Sequence, residues 1–273
     1  MITLKYVELL IKGIFIGLGK IIPGVSGSLI AMSLGVYEEA VERITYFFKD
    51  IPRNVVYFLF LGMGVMVSIL FGSKIVLFFL NHSYSPTIFL FSGLVMGAVP
   101  TIRSKIKNKN LHYVCTLLFF ILFLNLILSL KGGKEFVYEN TIIGNLQVAL
   151  IGFLEAFTMI VPGISGTSLF ISLGYYSFIM ELFSNIFSII KTSIQIPIFF
   201  CLFFLIGVYV VSIIMHYLLE KKERLTYTLI LAFSYSALFF MLKDAVMKSQ
   251  GIFDFLISPF FFFIGFYLCK KIE

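Results

Sequence analysis

Two short polar stretches interrupt an otherwise apolar chain, and they limit what it can fold into. "KIIPGVSGS" begins at Lys20, and "IVPGISGTS" begins at Ile160. Glycine and proline break helices, and hydrocarbon cannot hydrogen-bond the backbone groups that they release. Irregular backbone survives at membrane depth only where it is buried in protein or lines a polar cavity. We therefore predict a buried helix–turn–helix hairpin at each stretch.

The composition places the whole chain in a membrane. Of the 273 residues, 60% are hydrophobic and 13% are charged, whereas about a quarter of a soluble domain is charged. The net charge of +7 is typical of lysine and arginine retained on the cytoplasmic side, so we expect no nucleic-acid partner. The prediction is a single all-α integral membrane domain covering residues 1–273.

Apolar runs of about 20 residues are needed to cross the hydrocarbon core, and six runs meet this requirement. The first contains several glycines and Lys74 and is predicted to be kinked or broken. Two other apolar regions, Leu4–Tyr37 and Thr141–Tyr176, are cut by the polar stretches. We expect each half to be too short to cross, so that each region forms a re-entrant hairpin. The six predicted spans are Val55–Leu80, Pro86–Ile102, Leu111–Leu130, Pro197–Leu219, Leu225–Leu242 and Ile252–Cys269.

The loop charges predict the orientation of the chain. "RSKIKNK" begins at Arg103 and "EKKER" begins at Glu220, and both loops carry an excess of basic residues. Basic loops stay inside the cell, which places both termini in the cytoplasm. Three spans then separate the two hairpins, so the first half (residues 1–130) and the second half (residues 141–273) are predicted to be inverted copies.

An internal repeat supports this division. Gly13–Tyr37 aligns with Gly152–Tyr176 without a gap, and ten of the 25 aligned residues are identical. We call the constant shift that places Gly13 on Gly152 the repeat offset. A second and weaker sequence similarity relates "GVMV" at Gly64 to "GVYV" at Gly207. Inverted repeats with broken helices that meet near the midplane are typical of transporters, and the alternative is a duplicated scaffold that transports nothing.

Each polar stretch has the parts of an anion site. Its glycines can expose successive N–H groups, its hydroxyls add donors, and a helix that starts after it directs its positive end into the same space. Alternatively, each stretch is a packing turn whose serines bond their own backbone. The predicted phosphate-binding residues are Lys20, Gly24, Val25, Ser26, Gly27, Ser28, Gly163, Ile164, Ser165, Gly166, Thr167 and Ser168.

Four charged residues flank these stretches. A lysine as deep as Lys20 costs about 3 kcal/mol unless it is paired or hydrated, so we predict that it faces the phosphate; the alternative is that its side chain snorkels to the interface. Glu155 either pairs with Lys20, takes up a proton during transport, or is merely interfacial. Glu38 and Arg43 follow the first hairpin and form either a solvated amphipathic face or a gate.

No catalytic or metal-binding pattern is present in the sequence. The three histidines have no metal-ligand spacing, and there is no P-loop. We therefore predict that the protein is not an enzyme and needs neither a metal nor a cofactor.

The stretch "PGVSGSLIAMSLGVYE" (Pro23–Glu38) and its copy at Pro162–Tyr176 resemble the bacterial polyprenyl-phosphate translocases (PopT type), formerly a family of unknown function. The resemblance implies a bacterial cytoplasmic membrane protein whose partner is a polyprenyl-phosphate lipid. It implies translocation of undecaprenyl phosphate from the outer to the inner leaflet, which recycles the lipid carrier of cell-wall synthesis. A carrier of small soluble anions and a scaffold remain alternatives, and the driving force and a homo-oligomer stay open.

Overall fold

The computed structural model describes residues 2–22, 24–106, 111–129, 135–249 and 251–272. Within these ranges nearly all regular structure is α-helical and no strand occurs, which confirms the all-α prediction. A 3₁₀ turn (Phe47–Lys49) and a π-helical turn (Ser68–Gly72) complete it. Pro23, residues 107–110 and residues 130–134 lie outside the described ranges. The α-helices are α1 (Ile2–Ile21), α2 (Gly27–Ser33), α3 (Tyr37–Thr45), α4 (Ile51–Val67), α5 (Ser73–His82), α6 (Tyr84–Ser104), α7 (Leu111–Ser129), α8 (Ile142–Ile160), α9 (Gly166–Leu173), α10 (Tyr176–Ser184), α11 (Ile186–Thr192), α12 (Gln195–Lys221), α13 (Glu223–Met247) and α14 (Ile252–Ile272).

Six stretches in the described part of the chain are long and apolar enough to cross a membrane. Five coincide with predicted spans: Ile51–His82, α6, α12, α13 and α14. The sixth is α8, which the sequence analysis assigns to a re-entrant hairpin. The interruption predicted in the first run is confirmed, because the π-helical turn separates α4 from α5.

The prediction that both halves of each hairpin are too short to cross is wrong for α8, which is one of the six candidate spans, whereas α1 is as long but is not among them. Helix α1 has 20 residues and α8 has 19, whereas α2 and α9 have 7 and 8. The glycines come at the end of each apolar region's first 20 residues, so they leave a full-length helix before the turn. Each hairpin therefore has one long arm and one short arm.

Both hairpins return to the end at which their long arm begins. In the first, Glu39 of α3 lies 3.8 Å from Lys5 near the start of α1. In the second, the Phe136 N–H before α8 donates to the Gly174 carbonyl at the end of α9, at 3.0 Å. The short arms therefore run back along the long arms rather than away from them.

The long arms pack against their neighbours in the same way in both halves. Helix α1 packs on α4, and α8 packs on α12. A side chain at Gly13 would collide with the Leu61 carbonyl, and one at Gly152 would collide with the Phe200 carbonyl. The repeat offset that places Gly13 on Gly152 also places Leu61 on Phe200, so the close helix contact is part of the repeat.

Positive backbone dihedrals follow the same repeat. In the described ranges the glycines with positive φ are Gly24 (87°) and Gly163 (85°), then Gly35 (68°) and Gly174 (76°). The repeat offset relates the two members of each pair. The duplication therefore includes the unusual conformations that define the turns before and after each short arm.

Helices α6 and α13 form the centre of the bundle. They are the most buried of the six candidate spans. They run antiparallel, since Tyr84 at the start of α6 bonds to Asp244 near the end of α13. Helix α14 packs on α6, and α7 packs on α13. This central pair is the surface on which the two hairpin turns rest.

Candidate functional site

The first motif (residues 24–28) directs its hydroxyls toward the other half of the molecule. Ser26 is the N-cap of α2, but its side chain makes no capping bond. Its hydroxyl instead shares a 2.9 Å hydrogen bond with the Ser28 hydroxyl, which donates to the Val161 carbonyl at 3.3 Å. Both serines are buried. The first motif is therefore joined to Val161, the residue that ends α8 just before the second motif.

The second motif (residues 163–168) holds its hydroxyls in a local cluster. The Ser165 hydroxyl caps α9 by accepting the Ser168 N–H at 3.3 Å, and it bonds the Ser168 hydroxyl at 3.0 Å. Thr167 lies 3.0 Å away from the same oxygen. In this copy the serine does bond its own backbone, as the packing-turn alternative expects.

Both turns rest on α13. A side chain at Gly24 would collide with Met241, and one at Gly163 would lie 2.9 Å from Phe233 Cβ and 3.0 Å from the Ser234 nitrogen. Met241 and Ser234 are seven residues apart, about 10 Å along a helix. The two turns thus meet the same helix two helical turns apart.

One ion pair joins the two halves next to these turns. The Lys20 Nζ lies 2.5 Å from the Glu155 Oε1, and the two side chains are 40% and 14% exposed. The structure thereby brings together the pair that the sequence analysis considers. Pairing compensates for the energetic cost of both charges within the apolar bundle. The Lys20 side chain stays partly exposed although it is paired.

This pair lies beside the first residues of both short arms. A Cβ at Gly27, where α2 begins, would lie 3.8 Å from the Lys20 Cβ. A Cβ at Gly166, where α9 begins, would lie 3.7 Å from the Glu155 Oε2 and 2.7 Å from the Thr158 hydroxyl. The charges, hydroxyls and helix starts singled out in the sequence therefore occupy one region.

The charge pair breaks the symmetry of the repeat. The counterpart of Lys20 is Met159, and the counterpart of Glu155 is Ile16. Each half therefore supplies one charge, and together the two halves form a single ion pair rather than two.

The two apolar members of the predicted phosphate-binding set contribute little in this state. The Val25 N–H already donates to the Ile22 carbonyl at 3.2 Å, so it is not open to an anion. Ile164 is half-buried and packs against the core. Neither side chain is polar.

Glu38 lies away from the ion pair, in a separate cluster. Its carboxylate accepts the Tyr227 hydroxyl at 2.6 Å and pairs with Lys105. Burial alone raises the pKa of Glu38, but the hydrogen bonds and the charge of Lys105 outweigh it and hold the pKa below its usual range. The cluster therefore stays ionised at neutral pH and weakens only as the pH falls toward that lowered pKa.

Arg43 does not reach this cluster. It donates to Glu39 at 2.9 Å and to the Asn54 side chain at 2.9 Å, and it lies over the Tyr57 ring. These contacts fix α3 on α4.

Sequence reasoning missed two supports of the site. The Tyr37 hydroxyl donates to the Ile160 carbonyl at 2.9 Å and ties the end of the first hairpin to the end of α8. Tyr37 is identical in the repeat, which is the signal that singles it out. The contact of α13 with both turns had no signal in the sequence, because Met241 and Phe233 look like ordinary membrane residues.

The capping difference between the motifs gives a stability prediction. We expect Ser165→Ala to lower the unfolding free energy by about 1 kcal/mol, because it removes a helix cap. Ser26→Ala, its counterpart, removes no capping bond and costs less. Thermal unfolding in detergent measures both. A larger loss for Ser26→Ala than for Ser165→Ala contradicts the assignment of the cap.

Six candidate spans and one polar region formed by both halves of the bundle define a multi-pass membrane protein of the transporter kind. Residues 16–250 match the undecaprenyl phosphate translocase-like family, and the chain belongs to that family. It is 25% identical over 248 residues to a polyprenyl-phosphate transporter of Vibrio cholerae, covering 83% of this chain and 74% of that protein. It is 26% identical over 243 residues to a polyprenyl-phosphate transporter of Staphylococcus aureus, covering 86% of this chain and 85% of that protein.

These similarities settle the class of the protein. The family and both relatives are named for transport, so the protein is a transporter and not an enzyme. Its spans and its bacterial relatives place it in a bacterial membrane. No solved structure matches the chain.

Proposed function

We propose that the protein translocates undecaprenyl phosphate across the bacterial cytoplasmic membrane, from the outer to the inner leaflet. This returns the lipid carrier of cell-wall synthesis to the side where it is loaded again. The names of its family and relatives support the substrate. The observation that carries the proposal is the Lys20–Glu155 pair beside the starts of α2 and α9.

The site suits a phosphate monoester. Such a group carries about −1.5 to −2 charges at neutral pH and has three acceptor oxygens. Lys20 supplies the charge that attracts it, and the start of α9 adds partial positive charge. The Ser26 and Ser28 hydroxyls are bonded to each other and to the Val161 carbonyl in this state, so they rotate away from these partners to donate to the phosphate. The polyprenyl tail stays in the lipid throughout, since only the headgroup is rejected by hydrocarbon.

Glu155 gives the site a means of release. In the empty protein it holds Lys20, and an arriving phosphate takes its place on the ammonium group. Once displaced, the carboxylate lies next to the phosphate and repels it, or takes up a proton to relieve the repulsion. Binding is thus strong enough for capture and weak enough for release.

The two halves give the site access to both leaflets. We place both termini in the cytoplasm and treat residues 1–130 and 141–273 as inverted copies, with each short arm re-entering the membrane from its own face. The repeated glycine dihedrals and the return of both hairpins to their starting ends support this arrangement. Exchange of shape between the halves then exposes one site to each side in turn.

Reconstitution tests the proposal. We expect purified protein in vesicles loaded with undecaprenyl phosphate to speed its redistribution between leaflets by at least about tenfold over protein-free vesicles, because the site lowers the cost of moving the charged headgroup. Accessibility of the lipid to an added phosphatase, followed over time, measures it. Equal rates with and without protein, or uptake of soluble phosphate by protein-containing vesicles that lack undecaprenyl phosphate, would overturn the proposal.

A further inference from the structure

Two clusters of tyrosine, carboxylate and lysine close the two ends of the α6–α13 pair. The Glu38 cluster (Glu38, Lys105 and Tyr227) lies where α6 ends and α13 begins. Glu38 accepts the Tyr227 hydroxyl at 2.6 Å and pairs with Lys105, whose Nζ lies 5.6 Å from the Tyr227 ring centre. It joins three elements: α3, the end of α6 and the start of α13.

The Asp244 cluster (Tyr84, Asp244 and Lys248) lies at the opposite end, where α6 begins and α13 ends. Asp244 accepts the Tyr84 hydroxyl and pairs with Lys248 at 3.0 Å. The Lys248 Nζ lies 5.0 Å from the Tyr84 ring centre. The same three chemical groups thus meet again, with a tyrosine of one helix against the lysine that follows the other. The carboxylates differ in origin, because Asp244 belongs to α13 itself and Glu38 belongs to α3.

The positions of these residues match between the two helices. Lys105 and Lys248 are the C-caps of α6 and α13. Tyr84 and Tyr227 precede these two lysines by the same number of residues, which equals the length of α6. The shift from Tyr84 to Tyr227 is also the shift from Gly64 to Gly207. This shift is longer than the repeat offset by about one helical turn. Helix α13 is longer than α6 by the same number of residues.

Their separation matches the thickness of a membrane. A tyrosine and the lysine that caps its helix are about 31 Å apart along the axis at 1.5 Å per residue, and the hydrocarbon core is about 30 Å thick. Because the helices are antiparallel, the two clusters stand at opposite faces of the bundle. The four charged side chains are between 38% and 58% exposed. Exposed ion pairs are weak, and a contact that opens in every transport cycle has to be weak.

We propose that the Glu38 cluster and the Asp244 cluster are the two gates of the transporter, one at each membrane face, and that they open alternately. This inference rests on the proposed function. Both clusters are formed here, so this state is closed at both ends. The Glu38 cluster is also linked to the phosphate site. The hydroxyl of the neighbouring Tyr37 donates to the Ile160 carbonyl, where α8 ends.

Side-specific labelling tests the gates without any transport assay. The reporter is Thr167→Cys, half-buried in the second motif, with the three native cysteines replaced by serine. An impermeant maleimide is applied to right-side-out and to inverted vesicles. We expect Glu38→Gln to raise labelling from one face by about fivefold and Asp244→Asn to raise it from the opposite face by a similar factor.

Two further variants keep the test decisive. Glu42→Gln changes a charge of α3 outside the cluster and should leave labelling unchanged. The swap Glu38→Lys with Lys105→Glu restores the pair and should return labelling to the parental level, which a misfolded protein cannot do. If neither gate variant changes labelling, or both raise it from the same face, the clusters are structural caps and the inference is wrong. Because no lipid substrate is involved, this outcome is independent of whether undecaprenyl phosphate is the cargo.

Discussion

Replacing Lys20 with methionine is expected to slow translocation of undecaprenyl phosphate by about 10- to 100-fold. A hydrogen bond to a charged group contributes about 1.5–3 kcal/mol, which corresponds to that range of affinity. The variant also leaves Glu155, only 14% exposed, without its partner and facing the phosphate. Vesicle redistribution of the lipid measures the rate, and binding of the lipid to purified protein measures the affinity.

Three companion variants separate binding from stability. Glu155→Gln frees Lys20, so it should bind the lipid more tightly and release it more slowly. The double variant Lys20→Met with Glu155→Gln removes the unpaired charge and should recover stability without recovering transport. Lys74→Met changes a lysine of the first span and should stay within about twofold of the parent, because Lys74 lies outside the region where α2 and α9 begin. Normal transport by Lys20→Met contradicts the proposed site.

The largest stability effect is expected at Gly163. Alanine there would have to adopt φ near +85° and place its Cβ 2.9 Å from Phe233 and 3.0 Å from the Ser234 backbone. Left-handed strain of about 1–2 kcal/mol adds to overpacking of about 1–3 kcal/mol. We expect Gly163→Ala to lose about 2–5 kcal/mol, measured by thermal or denaturant unfolding in detergent.

Two other glycines serve as graded controls. Gly35 has φ of 68° but nothing within 4 Å of an added Cβ, so Gly35→Ala carries the strain alone. Gly62 lies inside α4 with open space around it and no positive φ, so Gly62→Ala is neutral or stabilising by up to about 1 kcal/mol. The predicted order of loss is Gly163, then Gly35, then Gly62. An equal response at all three positions contradicts the conformation of the turn.

The sequence predicts the local parts of this molecule well, because turn chemistry and apolar length are local properties. The repeat also reaches places outside the two motifs. The Thr87 hydroxyl donates to the carbonyls of Phe79 and Ser83. The repeat offset relates Thr87 to Thr226, and the Thr226 hydroxyl donates to the carbonyls of Leu218 and Lys222. The pairing of Lys20 with Glu155 is one of the three roles that the sequence allows for Glu155, and it is the one observed, since two charges inside an apolar bundle stabilise each other.

Contacts between distant segments are what the sequence did not predict. The full span α8 and the long arm α1 do not follow from the sequence pattern, because a polar break inside an apolar region does not show how far the helix before it extends. The partners of Glu38 were missed because Lys105 and Tyr227 read as ordinary members of a basic loop and an interfacial belt. Such contacts depend on how the helices pack against one another. The apolar pattern of a single segment does not predict that packing.

The position of the phosphorus atom in an experimental structure with bound undecaprenyl phosphate tests the central claim most directly. We predict that it lies between the starts of α2 and α9, with a phosphate oxygen about 2.8 Å from the Lys20 Nζ and with Glu155 displaced. A phosphate elsewhere, for example in the basic cavity of about 330 Å³ beside Lys221 and Lys222, with the Lys20–Glu155 pair intact, would contradict the account.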